Sequence, residues 1–158
     1  MTLPQGELGL LETETAQRLL ASPINARLAY TGLDGKPRAI PIWFHWTGEE
    51  LVMGSFAGAA KGRALRANPD VAITIDTEGF PCDVLLLRGE ASVSDVDGFV
   101  PEYVEAARRY LGEEGAAGFV AQFDGQPVRM IRIALRPTWV GLIDFKTRMP
   151  GVLGGVQG

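Results

Sequence analysis

The chain has 158 residues, 46% of them apolar and 22% charged, the make-up of one globular domain that buries roughly 70% of its unfolded surface. A formal net charge of −4 argues against a nucleic-acid partner, because phosphate backbones demand a basic field. One cysteine, Cys82, excludes an internal disulfide or a multi-thiolate metal site, and one histidine, His45, would leave zinc to carboxylates, so no metal site is expected.

In chain order, Met1–Leu11 contains Gly and Pro and reads as a flexible arm. It carries Glu7 but no Lys or Arg, unlike the basic start of a secretory signal. Thr13–Ala21 reads as a short helix, with Thr13 as N-cap and Ala16, Leu19 and Leu20 on one face, ending before Pro23. Ala26–Thr31 is a strand, Asp34-Gly35 a hairpin turn, Pro37–Trp46 the return strand and Leu51–Ser55 a third. Ala59–Asn68 is helical and stops at Asn68-Pro69. Val71–Ile75 is rich in β-branched residues and reads as a strand. Thr77–Asp83 is a loop, and Val84–Val93 a long strand. Pro101 suits the first position of a helix running to Leu111, and Ala116–Phe123 suits a second helical turn. Val128–Leu135 and Trp139–Phe145 are the last strands, and 149–158 is a Gly-rich, flexible tail.

Six or seven short strands, closely spaced with helices in the gaps, favour a mainly β fold, an antiparallel barrel, over βαβ winding. The longest near-continuous apolar run, Ala39–Trp46, is far too short to span a membrane. A cytoplasmic domain with no membrane partner is expected. Residues 39–46 and 84–87 are apolar on both faces. A small barrel covers one face of each strand, so helices or a second subunit must cover the other, and a homodimer is expected.

The strongest chemical signal is Lys61-Gly62-Arg63-Ala64-Leu65-Arg66, a cationic segment in an acidic chain. It follows the small-residue loop Gly54–Ala60, which lets a ligand approach the backbone. The helix it opens points free N–H groups and a positive dipole end at that ligand. A cation at that end is unfavourable alone and is explained by an adjacent anion, with Ser55 as a further donor; a solvated helix face would show the same charges. The loop lacks the Gly-Lys-Ser/Thr of a nucleotide-binding P-loop. Pro41 interrupts a good strand, so that stretch should be an edge or bulge. Trp43 and Trp46 beside an edge could receive a flat heteroaromatic ligand, or could equally be core or dimer contacts. His45 suits a partly buried residue with one hydrogen bond rather than a catalytic base. The paired carboxylates Glu12/Glu14, Glu49/Glu50, Asp95/Asp97 and Glu113/Glu114 read as solvated surface. Cys82 has no catalytic partner in sequence, and no catalytic residue is assigned.

Arg27–Arg38, Pro41–Trp46, Gly54-Ser55, Ala60–Arg63, Leu65–Pro69 and Leu87–Val93 together resemble the pyridoxamine 5′-phosphate oxidase-like, FMN-binding split β-barrel family. The chain looks most like its branch of flavin and deazaflavin oxidoreductases, over about residues 12–145. The resemblance implies a homodimeric split barrel binding FMN or coenzyme F-420 and acting on a small molecule, or a non-catalytic flavin or haem binder on the same fold. It implies that Lys61 and Ser55 hold the cofactor phosphate, that Arg63 adds charge there, and that Ile40, Pro41, Ile42 and Trp43 run along the ring. Trp139 would reach the site from the partner subunit. The basic residue often found before the loop lysine is Ala60 here, and the second-strand arginine and lysine of many pyridoxamine phosphate oxidases match Ile40 and about His45. The resemblance therefore implies a loosely bound flavin or deazaflavin more than pyridoxamine phosphate oxidation.

Overall fold

A computed structural model describes residues 3–148; the expected tail lies outside the described residues. Helix α1 (Glu14–Leu20) starts where expected, with Thr13 Oγ1 accepting from the Ala16 N–H at 3.3 Å. The strands are β1 (Ala26–Thr31), β2 (Pro37–Ile42), β3 (His45–Trp46), β4 (Leu51–Phe56), β5 (Asp70–Asp76), β6 (Val84–Asp97), β7 (Arg129–Leu135) and β8 (Trp139–Ile143). Helix α2 (Ala60–Ala67) lies between β4 and β5, and α3 (Pro101–Ala121) between β6 and β7.

Every strand ladder is antiparallel, in the order β2-β1-β5-β6-β7-β4-β3, with β8 also on β6. The 14-residue β6 joins the two halves of a split barrel. Its first half pairs β5 and β8 (Leu87 opposite Ile73 and Val140), and its second half pairs β7 (Val93 opposite Ile133). Polar Asp95 and Asp97 hide the end of that second half from a pattern reading, which stops at Val93.

The expected single strand over 37–46 is instead two. β2 ends at Ile42, and β3 pairs β4 in the other half of the barrel. Between them Phe44 is fully buried, and the Arg109 guanidinium donates to the Phe44 carbonyl. Burial of that one ring turns the chain from one half of the barrel to the other. Leu28, Phe44, Leu51, Ile73, Leu85, Leu87 and Leu135 are core residues, closed at one end by Leu19 and Leu20 of α1 and by Leu65 of α2. A second apolar cluster, Val52, Val100, Met130 and Ala134, lies with Tyr103 beside the packing of α3 on β4.

The N-terminal segment expected as a loose arm is docked on β8. Gln5 exchanges two side-chain hydrogen bonds with Leu142, at 2.6 and 2.8 Å, and the Gly6 N–H donates to the Val140 carbonyl at 2.8 Å. A 3₁₀ turn over Leu8–Glu12 then buries Leu10 and Leu11. At the far end β8 stops at Ile143 rather than Phe145, because the Asp144 carboxylate takes the N–H groups of Lys146, Thr147 and Arg148 in a turn.

Candidate functional site

β2, β4, α2 and α3 enclose a cleft of about 300 Å³ lined by Pro41, Ile42, Trp43, Ser55, Lys61 and Tyr103, with Asn25, Gly54 and Phe56 at its margins. Strand β4 ends at Phe56, the chain turns at Gly58 (φ 90°), and α2 starts at Ala60 with no side-chain cap from Ala59. The Ala59 and Gly62 N–H groups donate to the Phe56 and Ala59 carbonyls, which leaves those of Ala60 and Lys61 for another acceptor. Lys61 Nζ donates to the buried Ser55 Oγ at 3.0 Å. Burial pushes the Lys61 pKa below the usual lysine value. A half-desolvated ammonium, a hydroxyl and an uncapped helix start form a donor set suited to an oxyanion.

Pro41, Ile42 and Trp43 form the opposite wall. β2 is an edge strand, as Pro41 required. Trp43 belongs to both readings given for it: it lines the cleft, and its ring also stacks on Tyr110 (5.2 Å between centroids, 8° between planes) and meets Tyr103 at 5.6 Å.

Not every expected site residue meets there. Ile40 is on β2 but turns to the core opposite Leu28. Arg63 is exposed and donates to the Gly58 carbonyl at 3.3 Å, so it braces the loop. Ala60 faces a separate hollow beside Tyr30, Leu33 and Arg38. Trp139 of the same chain lies outside the cleft; the Arg88 guanidinium sits over its ring at 3.9 Å. His45 is partly buried, but its Nδ1 has no hydrogen-bond partner among the described residues. Burial and the nearby Arg109 charge lower its pKa, against smaller opposing effects of Glu105 and Glu102. No cluster of three or more metal-ligating side chains occurs among the described residues, and no described helix is long and apolar enough to cross a membrane.

Asn25 and Tyr103 were not expected at the site, and Gly54 and Phe56 only as parts of the ligand loop Gly54–Ala60. Gly54 carried a signal: a glycine inside an apolar strand marks a close approach, here by the Tyr103 ring. Tyr103 carried none, since its helix lies far along the chain and its spacing is that of any amphipathic helix.

The fold and this cleft can be set beside known proteins. An F-420 reductase is 27% identical, with a TM-score of 0.59 over 79% of this chain and 94% of that one. A conserved hypothetical protein from Mycobacterium tuberculosis is 17% identical, with a TM-score of 0.66 over 100% of this chain and 95% of its own. A heme binding protein from Mycobacterium smegmatis is 23% identical, with a TM-score of 0.57 over 85% of this chain and 55% of its own. A search of curated proteins finds no match. The sequence pattern of the family described as Pyridoxamine 5′-phosphate oxidase matches residues 12–140, a stretch that includes every cleft-lining residue. With most of its length matched and a split barrel around that cleft, the chain belongs to the pyridoxamine 5′-phosphate oxidase family.

Proposed function

We propose that this chain is an oxidoreductase that binds FMN or coenzyme F-420 in the Lys61–Ser55 cleft and acts on a small molecule as a homodimer. The observation that carries the proposal is the Lys61 ammonium held on Ser55 Oγ at 3.0 Å, at an uncapped helix start facing the apolar edge strand Pro41–Trp43. One end of the cleft suits a phosphate and the other a flat ring. The F-420 reductase and the family match support the class of cofactor.

Charge at the phosphate position alone favours the deazaflavin, whose acidic tail needs other partners. Among the described residues Lys61 is the only cation lining the cleft. One ammonium balances a singly charged phosphodiester, whereas the FMN phosphomonoester carries nearly two charges at neutral pH. A bound flavin or deazaflavin supplies hydride transfer. The protein's part is to anchor the phosphate through Lys61 and Ser55, orient the ring along β2 and exclude water with Trp43 and Tyr103.

The outer face of β1, β2, β5 and β6 supports the dimer. Register places Ala39, Ala29, Ala72 and Arg88 in one row, and Pro41, Arg27, Thr74 and Leu86 in the next. Ala29, Ala39 and Pro41 are exposed, and Ala72, Thr74 and Leu86 half-buried. A face of small and apolar side chains flanked by the exposed Arg27 and Arg88 suits a second copy, which would bring its Trp139 near the first copy's cleft.

The test is a spectroscopic titration of the pure protein with FMN and coenzyme F-420 in parallel. Saturable binding of either, tighter for F-420, is expected; no binding of either overturns the proposal. A non-catalytic carrier would bind in the same cleft, and turnover of the bound cofactor separates it from an enzyme.

A further inference from the structure

Helix α3 brings to the cleft a side chain that the phosphate anchor does not require. Tyr103 stands in its first turn, with its ring on the β4 backbone at Gly54. A Cβ on Gly54 would lie 2.8 Å from Tyr103 Cδ2 and 3.1 Å from Tyr103 Cβ. The ring centroid is 5.6 Å from Trp43 and 6.5 Å from Phe56, so Tyr103 connects two other lining side chains.

The first half of α3 is pinned in place. Glu102 accepts from Arg132 Nε and Nη2 at 3.0 and 2.8 Å. Arg109 donates to the Ser22 carbonyl at 2.8 Å and to that of Phe44. The two tyrosines of this helix differ. The Tyr110 hydroxyl is committed to the Ile24 carbonyl at 2.8 Å. The Tyr103 hydroxyl makes no hydrogen bond among the described residues, although its side chain lines the cleft. Burial raises the Tyr103 pKa, so the phenol keeps its proton through neutral and mildly alkaline pH.

We propose that Tyr103 is a ligand-contacting residue: its ring walls the cleft between Trp43 and Phe56, and its hydroxyl donates a hydrogen bond to an acceptor atom of the bound ring. The inference rests on the cofactor reading above and assigns α3 a part in that site. A rigidly held, neutral donor in an aromatic-walled slot recognises a planar heteroaromatic with a carbonyl or ring nitrogen at its edge. Removing the hydroxyl leaves that acceptor unpaired in a partly dry site.

The experiment is fluorescence titration of F-420 and FMN into wild type, Tyr103→Phe and Tyr110→Phe, with apo melting temperatures. Tyr103→Phe should weaken the cofactor that wild type binds about fivefold or more and leave the apo melting temperature unchanged. Tyr110→Phe, which loses a hydrogen bond within the protein, should do the reverse: a lower melting temperature and unchanged affinity. Equal affinity in wild type and Tyr103→Phe overturns the assignment, as does a parallel loss of affinity and apo stability, which marks a packing role. Wild type that binds neither cofactor overturns the functional reading itself, and the role of Tyr103 with it.

Discussion

His45 is the only imidazole of the chain, and the fold favours its neutral form. Its Nδ1 is buried without a partner among the described residues, and the groups facing it are Arg109, Glu105 and Glu102, all from α3, with burial and Arg109 dominating. Its folded pKa therefore lies below its ordinary value of 6.5. The unfolded chain takes up the proton first, so the stability this residue contributes is present above about pH 6.5 and is lost as pH falls from there through the folded pKa. Thermal melts from pH 8 to 5 should show wild type losing stability over that window and His45→Gln losing less. Matching pH profiles would show that His45 does not set this dependence. At this scale the sequence pointed to Lys61 and Ser55, which meet in the cleft, because a cation after a small-residue loop is locally unusual. It did not separate Arg63 from Lys61, since both are basic residues of one short helix. Only the direction each faces distinguishes the proposed anchor from the loop brace.

Among the elements, those with local punctuation were legible to within a residue or two. Asn68-Pro69 ends α2, Thr13 caps α1 and Pro101 opens α3. Two features were illegible because distant partners decide them. The split of β2 from β3 depends on burying Phe44 and on Arg109, 65 residues away, and the reach of β6 depends on β7. The break in α3 was partly legible, in the separate readings of Pro101–Leu111 and Ala116–Phe123. Gly112, at φ 79° and ψ 171°, is the joint, in a region essentially closed to other residues. Gly112→Ala should cost about 1–3 kcal/mol, measurable by chemical denaturation. It should leave the anchored first half of α3, and so the Lys61–Ser55 contact, in place. An unchanged midpoint would mean that the joint tolerates a side chain and is not a constraint on the fold.

For the whole molecule, alternating and continuous apolar runs made the antiparallel barrel readable and the family resemblance brought β2, β4 and α2 to one site, whereas the α3 wall of the cleft became visible only in three dimensions. The outer face bearing Ala29, Ala39 and Pro41 should be covered by a second copy. Mass measurement at micromolar concentration should give twice the 17.0 kDa of one chain, and a stable monomer would contradict an interfacial site. The most direct measurement is calorimetric titration of wild type and Lys61→Ala with F-420 and with FMN. Loss of one charge-assisted contact, on the order of 1.5–3 kcal/mol, should weaken the preferred cofactor about ten- to a hundredfold. The apo melting temperature should stay level or rise slightly, because a half-desolvated cation at a helix start is removed. Equal affinity of wild type and Lys61→Ala for both cofactors would contradict the phosphate anchor and the function built on it.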